Sequence, residues 1–330
     1  KEKVKLEVIQ RVMDGVLDVS GAARVLGRTE RSIYRMLSRV RLRGVEGIIH
    51  GNRGNKHAEK YGEALKARVL NLAKEKYEGF NDIHMMEQLA KNEGIRINRE
   101  TLRQWLRGAE REPKRRRRGR RYRSGRKRKE AFGEMIQIDA SHHDWLEGRG
   151  PRIVLVGGID DATGHVWARF ERSESTWAYL RLLRQIIMDK GIPLSLYSDR
   201  HTIFHSPKEP TIIEQLEGRQ RETQFGRAAS ELGIRLIKAW SPQAKGRIER
   251  LWGTLQDRLV AEMRLANIAS LAEANKFLEG FLKEFNKQFR KEPGNKESVF
   301  RERPAARELD RVLCLKDQRT VARDHTVRFE

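Results

Sequence analysis

The sequence has a single cysteine, few aromatic residues (7%) and no long uninterrupted apolar run. One cysteine, Cys314, excludes an internal disulfide and a cysteine-rich zinc cluster, and it is compatible with a reducing compartment. The longest largely apolar stretch, Ile153–Ile159, has seven residues and includes two glycines, whereas a membrane span needs about 20. No basic segment followed by an apolar one opens the chain, so we expect no secretory signal. These absences argue against membrane-spanning and disulfide-stabilised secreted proteins.

Acidic residues are also in deficit. The 46 Asp and Glu residues face 69 Lys and Arg residues, which gives a net charge of +23 at pH 7. An excess of this size predicts stable association with a polyanion. Hydrophobic residues make up 38% of the chain, so folded cores can form, and 330 residues suggest two or three domains.

More than half of the excess charge lies in one short segment. Between Arg111 and Lys129 there are 13 basic residues and one acidic residue, a net charge of +12. This segment has no apolar periodicity, so we predict a basic linker over residues 111–130 that lies along phosphates. The alternative is a solvated charge run or a tract like a nuclear-localisation signal. The candidate DNA contacts in this segment are four consecutive arginines, Arg115, Arg116, Arg117 and Arg118.

Residues 1–55 show the pattern of a helix-turn-helix DNA-binding domain. A short helix, Gly21–Leu26, follows the possible cap Ser20, and Gly27 provides a tight turn before the possible cap Thr29. The helix after Thr29 would enter the major groove. Its candidate DNA contacts are Arg28, Arg31, Ser32 and Arg35.

Residues 56–110 repeat this plan and predict a second helix-turn-helix domain. Helical spacing marks His84–Lys91 and Arg99–Leu106, and Gly94 lies between them. The alternative is a small helical interaction domain with a basic surface. The candidate DNA contacts here are Arg99, Thr101 and Arg103.

After the linker, the apolar pattern changes from a helical period to a period of two. Residues 131–265 therefore predict an α/β domain with a mixed sheet. Residues 266–300 contain the long helix Leu271–Phe289, and residues 301–330 are expected to begin a small β domain, with short strands at 312–315 and 320–327. Because the chain stops within alternating residues, we expect this last domain to be incomplete. The predicted strands of the α/β domain are Glu134–Ala140, Ile153–Ile159, His165–Phe170, Leu194–Tyr197 and Ile234–Trp240.

Three acidic residues lie at positions where a catalytic site could form. Asp139 and Asp199 end predicted strands, and functional sites in open α/β sheets form at strand ends. Glu249 lies on the predicted helix Lys245–Met263, on a face shared with Lys245, beside the apolar stripe. The alternative for each aspartate is a turn residue, and for Glu249 a surface ion pair with Lys245 at i, i+4.

The sequence around these acids resembles a known family. Ile-Asp-Ala at Asp139, Tyr-Ser-Asp at Asp199 and Ser-Pro-Gln-Ala-Lys-Gly-Arg-Ile-Glu-Arg-Leu around Glu249 resemble the integrase-core transposases of bacterial insertion sequences, over residues 131–289. The resemblance implies an RNase H-like catalytic domain. Asp139 would bridge two Mg²⁺ ions, with Asp199 on one and Glu249 on the other, and Mn²⁺ could substitute.

The resemblance also implies the reaction and the partners. The enzyme would cleave double-stranded DNA at the element's ends and join the freed 3′-OH to target DNA. It would act as a homodimer or larger oligomer on DNA, without a membrane, in the bacterial cytoplasm near the nucleoid. Lys245 and Arg247, next to Glu249, become further candidate DNA contacts.

The chain departs from the family pattern in two places. Asp199 and Glu249 are 50 residues apart, which is longer than the commonest family arrangement, and the surplus falls in residues 201–222. This insertion could contact DNA or be a passive surface excursion. Arg200-His201 also replaces the Asn-Gly expected after the second aspartate, so the substrate contacts there are not predicted.

Two rival functions remain open at this stage. One is a DNA-binding regulator or assembly factor with an inactive core, against which the presence of all three acids argues. The other is a nuclease that cuts without joining. The acids do not separate the nuclease from the transposase, because both reactions use the same metal site.

Overall fold

The computed structural model describes residues 2–49, 61–114, 126–206, 212–216, 222–239, 245–317, 319, 321, 323 and 325–327. The predicted contacts Arg115 to Arg118 lie outside these residues, as does the motif segment 241–244 before Lys245. The chain divides into two compact units, Lys1–Val69 and Leu70–Glu330. No helix within the described ranges is both long and apolar enough to cross a membrane.

The first unit contains the three short helices that the sequence predicts. The N-cap of the second helix is Asp18, whose carboxylate accepts a 2.9 Å hydrogen bond from the Gly21 amide, rather than Ser20. Gly27 ends this helix with φ +58°, a left-handed conformation that favours glycine. Thr29 caps the third helix as predicted. The helices are α1 (Glu2–Met13), α2 (Val19–Leu26) and α3 (Glu30–Arg43), followed by a 3₁₀ helix, Gly44–Ile48.

One apolar cluster holds these helices together. Ala22 and Ala23 are buried, and their small side chains let α2 approach its neighbours closely. The apolar stripe of α3 faces this cluster, so the opposite face of α3 remains exposed. The buried members are Val8, Ile9, Ala22, Ala23, Ile33, Met36, Leu37, Val40 and Ile48.

Three helices precede the sheet. The boundary between the two units falls within the first of them. Arg111, which the sequence assigns to the linker, closes this region. Its guanidinium donates to the carbonyls of Ala73 (3.0 Å), Tyr77 (2.9 Å) and Phe80 (2.9 Å), and burial lowers its pKa. The helices are α4 (Glu63–Glu75), α5 (Asp82–Asn92) and α6 (Arg99–Gly108).

The second unit is built around a five-stranded mixed sheet with the order β3-β2-β1-β4-β5. The first three strands are antiparallel neighbours, and β4 and β5 run parallel to β1. This confirms the predicted α/β mixed sheet, with strand bounds within a few residues of those expected. The strands are β1 (Ile136–His142), β2 (Val154–Asp160), β3 (Val166–Glu171), β4 (Ser195–Ser198) and β5 (Arg235–Lys238).

Helices cover both faces of the sheet. Ile136 and Ile138 of β1 face a core shared with α7 and α9, whereas Leu155 and Ile159 of β2 face a second core formed with α10 and α11. The alternation along each strand separates the two cores. The helices are α7 (Thr176–Lys190), α8 (Ile212–Leu216), α9 (Gln224–Glu231), α10 (Gly246–Leu265) and α11 (Leu271–Phe289).

The predicted strand at 312–315 is wrong. Residues Ala306–Val312 form helix α12 instead. Leu309 and Leu313, four residues apart, are both buried in the core beneath α7 and α9, and this spacing fits a helical turn rather than a strand. Among the described residues after Val312, no strand occurs.

Candidate active site

Asp139 lies inside β1 rather than at its end. The carboxylate is 20% exposed and has two side-chain partners from α10 and the residue before it. Lys245 Nζ donates to Oδ1 at 2.7 Å, and Trp252 Nε1 donates to Oδ2 at 2.9 Å. The side chain is therefore held in one orientation at the edge of the core.

Asp199 directly follows β4, the parallel neighbour of β1. The register pairs Ile136 with Leu196 and Gln137 with Tyr197, and continued by two residues it brings Asp139 alongside Asp199. Lys245 Nζ also lies 3.5 Å from Asp199 Oδ2. One ammonium group thus joins the two predicted catalytic aspartates.

A glycine in β2 makes room for this arrangement. Gly157 pairs with Asp139 across the sheet. A Cβ atom at Gly157 would lie 2.7 Å from Cη2 of Trp252, so only glycine allows the indole to reach Asp139 without displacement. Neither Trp252 as a donor to Asp139 nor the need for Gly157 followed from the sequence. The paired glycines within a strand were the only signal available.

Glu249 lies on α10, one turn after Lys245, and its side chain is exposed. The alternative of a surface pair between Lys245 and Glu249 is not found, because Lys245 binds the two aspartates. Glu249 itself does not join them. Among the residues that the structure describes, no three His, Cys, Asp or Glu side chains are close enough together to hold a metal ion.

The donor set of the two aspartates nevertheless fits a divalent cation. Carboxylate oxygens are the ligands that Mg²⁺ prefers. The Lys245 ammonium, only 9% exposed, shows that a cation is accommodated between Asp139 and Asp199. Two carboxylates left side by side without a cation would repel each other.

Two tyrosines near the aspartates remain protonated at neutral pH. Burial raises the pKa of Tyr179 strongly, and its hydroxyl donates to Glu174 at 2.7 Å. The negative charges of Glu174, Asp139 and Asp199 raise it further. Burial also raises the pKa of Tyr197, although the positive charges of Arg126 and Lys245 oppose this. Neither phenol can serve as a general base at neutral pH.

Arg247, a predicted DNA contact, binds the protein itself. Its side chain is 13% exposed, and Nε lies 2.9 Å from Oδ1 of the buried Asp161. Burial lowers the pKa of this guanidinium, and the Asp161 carboxylate opposes that effect. Both cations predicted to meet DNA beside Glu249 are thus paired with carboxylates of this chain.

The candidate contacts of the first helix-turn-helix lie together at α3. Arg28, Arg31 and Arg35 are exposed, whereas Ser32 is partly buried. Tyr34, which sequence reasoning missed, is 60% exposed beside them. A large aromatic residue on a basic helix face was the available signal.

The candidate DNA contacts of the second helix-turn-helix differ in exposure and in whether they already form an ion pair. Arg99 is exposed and Thr101 is partly buried. Arg103 is exposed but pairs with Glu100 of the same helix, with 2.7 Å between Nη2 and Oε1. Arg99 and Arg103 line a groove of about 1200 Å³ whose other wall includes Gly253 and Thr254 of α10. The groove therefore reaches the turn of α10 that follows Glu249.

Polar contacts attach the preceding helix, α5, to α10. The fully buried His84 has Nε2 2.8 Å from Glu262 Oε1. Arg258 Nη1 lies 2.5 Å from Glu87 Oε2, and Gln288 donates to Oε1 of Glu87 at 3.0 Å. The first two contacts hold α5 against the helix that carries Glu249, and the third joins α5 to α11.

Three comparisons place these features among known proteins. No family model matches the chain. The chain is 38% identical over 328 residues to the putative transposase y4bF of Sinorhizobium fredii, and the match covers 99% of this chain and 70% of the relative. It is 34% identical over 366 aligned positions to the transposase for insertion sequence IS1202 of Streptococcus pneumoniae, and this match covers 100% of this chain and 77% of the relative.

Two solved structures show partial similarity to this chain. The simian T-cell lymphotropic virus intasome in complex with PP2A regulatory subunit B56 gamma matches with a TM-score of 0.38 and 17% identity, over 63% of this chain and 66% of that chain. The catalytic core domain of BIV integrase matches with a TM-score of 0.34 and 22% identity, over 47% of this chain and 85% of that chain. The two sequence relatives carry the assignment: this chain belongs to the insertion-sequence transposases, the family that its acidic motifs resemble.

Proposed function

We propose that this protein binds the ends of its insertion sequence and catalyses metal-dependent DNA cleavage and 3′-OH strand transfer into target DNA. One observation carries the proposal. In a chain of the transposase family, Asp139 on β1 and Asp199, directly after the parallel strand β4, are joined by Lys245, one turn before Glu249.

The three acids would hold the catalytic metal. Asp139 would contribute to two ions, with Asp199 on one and Glu249 on the other. When bound, two Mg²⁺ ions (or Mn²⁺ in their place) would stabilise the attacking and leaving oxygens of an in-line displacement. For Glu249 to join the aspartates, the Lys245 ammonium must leave their oxygens and the Glu249 side chain must turn toward β1. Trp252 keeps Asp139 oriented meanwhile, through its 2.9 Å hydrogen bond.

The reaction has two steps at phosphorus, a hydrolysis and then a transesterification. First, water attacks the phosphorus at an end of the element, and the bond to the 3′ oxygen breaks, which leaves a 3′-OH. That hydroxyl then attacks a phosphodiester of the target, and the target's own 3′ oxygen leaves. The Lys245 ammonium, once released from Asp139, lies one helical turn from Glu249, where it can pair with a DNA phosphate.

Basic groups of the chain would hold the DNA. In the first unit, Arg28 lies just before α3 and Arg31 and Arg35 lie on it; all three are exposed and would reach base edges and phosphates. The seven arginines within residues 115–125 add charge that sequence alone establishes. Because both ends of an element must be processed together, we propose a homodimer or larger assembly on DNA.

A strand-transfer assay tests the proposal. Duplexes from both ends of the element would be incubated with target DNA, using the parent protein with Mg²⁺, the parent with EDTA, and the variant Glu249→Gln. We expect joined products only from the parent with Mg²⁺. Glu249→Gln should retain DNA affinity, since it changes one exposed side chain. The control Glu279→Gln changes an exposed glutamate on α11 and should behave as the parent.

Other outcomes would replace the proposal. Metal-dependent cleavage without joined products would indicate a nuclease. Tight DNA binding without either product would indicate a regulator with an inactive core. Full joining by Glu249→Gln would refute the role of Glu249.

A further inference from the structure

Asp161 is a fully buried carboxylate that the proposed reaction does not use. It lies in the turn between β2 and β3 and gathers donors from distant parts of the chain. Gln137 Nε2 donates to Oδ1 at 3.0 Å, the Lys129 amide donates to Oδ2 at 2.8 Å, and Arg126 Nη2 also donates to Oδ1. Removing a buried charge with this many partners costs much free energy of folding, because the partners lose their hydrogen bonds.

The same carboxylate binds the start of α10. Arg247 Nε lies 2.9 Å from Asp161 Oδ1. Gln137, which donates to Asp161, accepts a 3.3 Å hydrogen bond from the Ile248 amide through its Oε1. Two consecutive residues of α10 are therefore tied to Asp161, one directly and one through Gln137.

This attachment replaces a cap that α10 lacks. The residue at its N-cap, Lys245, makes no side-chain capping hydrogen bond, because an ammonium group only donates and cannot accept from a backbone amide. Helix N-termini have unsatisfied amides, and a nearby negative charge stabilises them. Gln137 satisfies one such amide, and Asp161 supplies the charge.

The tied residues are immediate neighbours of the proposed catalytic acids. Gln137 precedes Asp139 by two residues on β1, so both side chains lie on the same face of the strand. Ile248 precedes Glu249 directly. We propose that Asp161 is a positioning residue that sets the first turn of α10, with Lys245 and Glu249, against Asp139 of β1. This inference rests on the proposed function of the three acids.

The adjacent residue provides a matched control. Asp160 is equally buried and is the last residue of β2, directly before Asp161. Its carboxylate accepts hydrogen bonds from the Thr163 amide (2.7 Å), the Thr163 hydroxyl (2.8 Å) and the Gly133 amide (3.0 Å). None of these donors belongs to α10 or β1. Replacing either aspartate removes a buried carboxylate, but only the change at Asp161 loosens the start of α10.

The experiment compares Asp161→Asn with Asp160→Asn at a temperature where both variants are folded by circular dichroism. The rate constant of end cleavage is measured at saturating DNA, together with the dissociation constant for the same duplex. Asp161→Asn should lower the rate on the order of 10²-fold, the effect of a small misplacement of catalytic groups, and change the dissociation constant less than about threefold. Asp160→Asn should leave both values near the parent's.

A spectroscopic readout tests positioning without activity. Tryptophan is replaced by 5-fluorotryptophan, and the ¹⁹F resonance of Trp252 is assigned with Trp252→Phe. Asp161→Asn should shift this resonance, because Trp252 lies on α10 and bonds Asp139. The resonance of Trp167, on the opposite face of the sheet, should not move. Asp160→Asn should shift neither.

The outcomes separate this inference from the proposed function. Equal rates for Asp161→Asn and Asp160→Asn, with an unmoved Trp252 signal, would overturn the positioning role. If the parent protein neither cleaves nor joins DNA, the proposed function fails, and the Trp252 signal alone decides the role of Asp161. Should Asp161→Asn not fold, Arg247→Met is used instead, since it leaves Asp161 paired with Arg126. It should lower the cleavage rate and shift the Trp252 signal in the same directions.

Discussion

The ammonium of Lys245 lies 2.7 Å from the carboxylate of Asp139 and is almost fully buried there. Because the same group is 3.5 Å from Asp199, its single positive charge reduces the repulsion between the two acids. A divalent ion on these oxygens would have to displace it. Lys245 and the proposed metal therefore compete for the same ligands.

Removal of this internal cation should strengthen metal binding. Lys245→Met keeps the length of the side chain but removes the charge. We expect the affinity of the DNA-free protein for Mn²⁺ to rise about tenfold, which corresponds to about 1.4 kcal/mol. Electron paramagnetic resonance of free Mn²⁺ measures this directly. The control Lys276→Met removes an exposed charge on α11 and should leave the affinity unchanged. Equal or weaker binding by Lys245→Met would show that lysine and metal do not compete.

The strands that carry the aspartates were predictable from the sequence, but the partners of the site were not. Alternation of apolar residues marks β1 and β4 locally, and the chain order of the acids resembles a known family. The partner of Arg247 is Asp161, 86 residues earlier in the chain, and no local pattern encodes that pairing. No local pattern therefore showed that Arg247, a predicted DNA contact, pairs with a carboxylate of this chain.

The same limit applies to Lys245 and to the C-terminal region. Helical spacing put Lys245 and Glu249 one turn apart, but whether Lys245 pairs with Glu249 or with the two aspartates depends on how α10 packs against β1. The apolar residues at 312–315 favoured a strand. In the structure, Leu309 and Leu313 both pack into the core, and their four-residue spacing favours a helical turn over a strand.

Gly157→Ala should destabilise the protein through Trp252. The added Cβ would lie 2.7 Å from Trp252 Cη2 and 3.1 Å from the Trp167 carbonyl, and neither atom has room to move freely in the packed core. We expect the free energy of unfolding to fall by about 2 kcal/mol, measured by urea denaturation. The control Gly280→Ala, on an exposed part of α11 with no atom within 4 Å of the new Cβ, should instead stabilise by about 0.5–1 kcal/mol. A neutral effect of Gly157→Ala would mean that the indole is not held against β2.

DNA affinity should depend steeply on salt. With many phosphate contacts, raising the salt concentration from 50 to 200 mM should weaken binding by about 10³-fold. Replacing Arg115, Arg116, Arg117 and Arg118 by glutamine should reduce the slope of log affinity against log salt by up to about 4. Fluorescence anisotropy of a labelled duplex gives both slopes. The triple control Lys276→Gln, Lys283→Gln and Lys287→Gln removes exposed charges of α11 and should keep the parent's slope. If the four arginines could be replaced without changing the slope, they would not contact phosphates.

The stability of the protein should fall in mild acid because of His165. This side chain is 14% exposed and packs against Trp167, with 4.4 Å between ring centroids. Burial lowers its pKa from 6.5 to about 4; Asp189 opposes this, whereas Lys190 and Arg290 add to it. The folded protein therefore keeps His165 neutral between these two pH values, while the unfolded chain takes up the proton.

The sign of the effect follows from that difference. Above pH 6.5, His165 is neutral in both states and its contribution to stability is fully present. As the pH falls from 6.5 to 4, the unfolded state gains a proton that the folded state does not, so the free energy of unfolding falls by up to about 3 kcal/mol. His165→Gln cannot titrate, and urea denaturation at a series of pH values should show a smaller loss for this variant than for the parent. Parallel curves for the two proteins would show that His165 titrates alike in the folded and unfolded states, and NMR titration of its Cε1 proton would then give a pKa near 6.5.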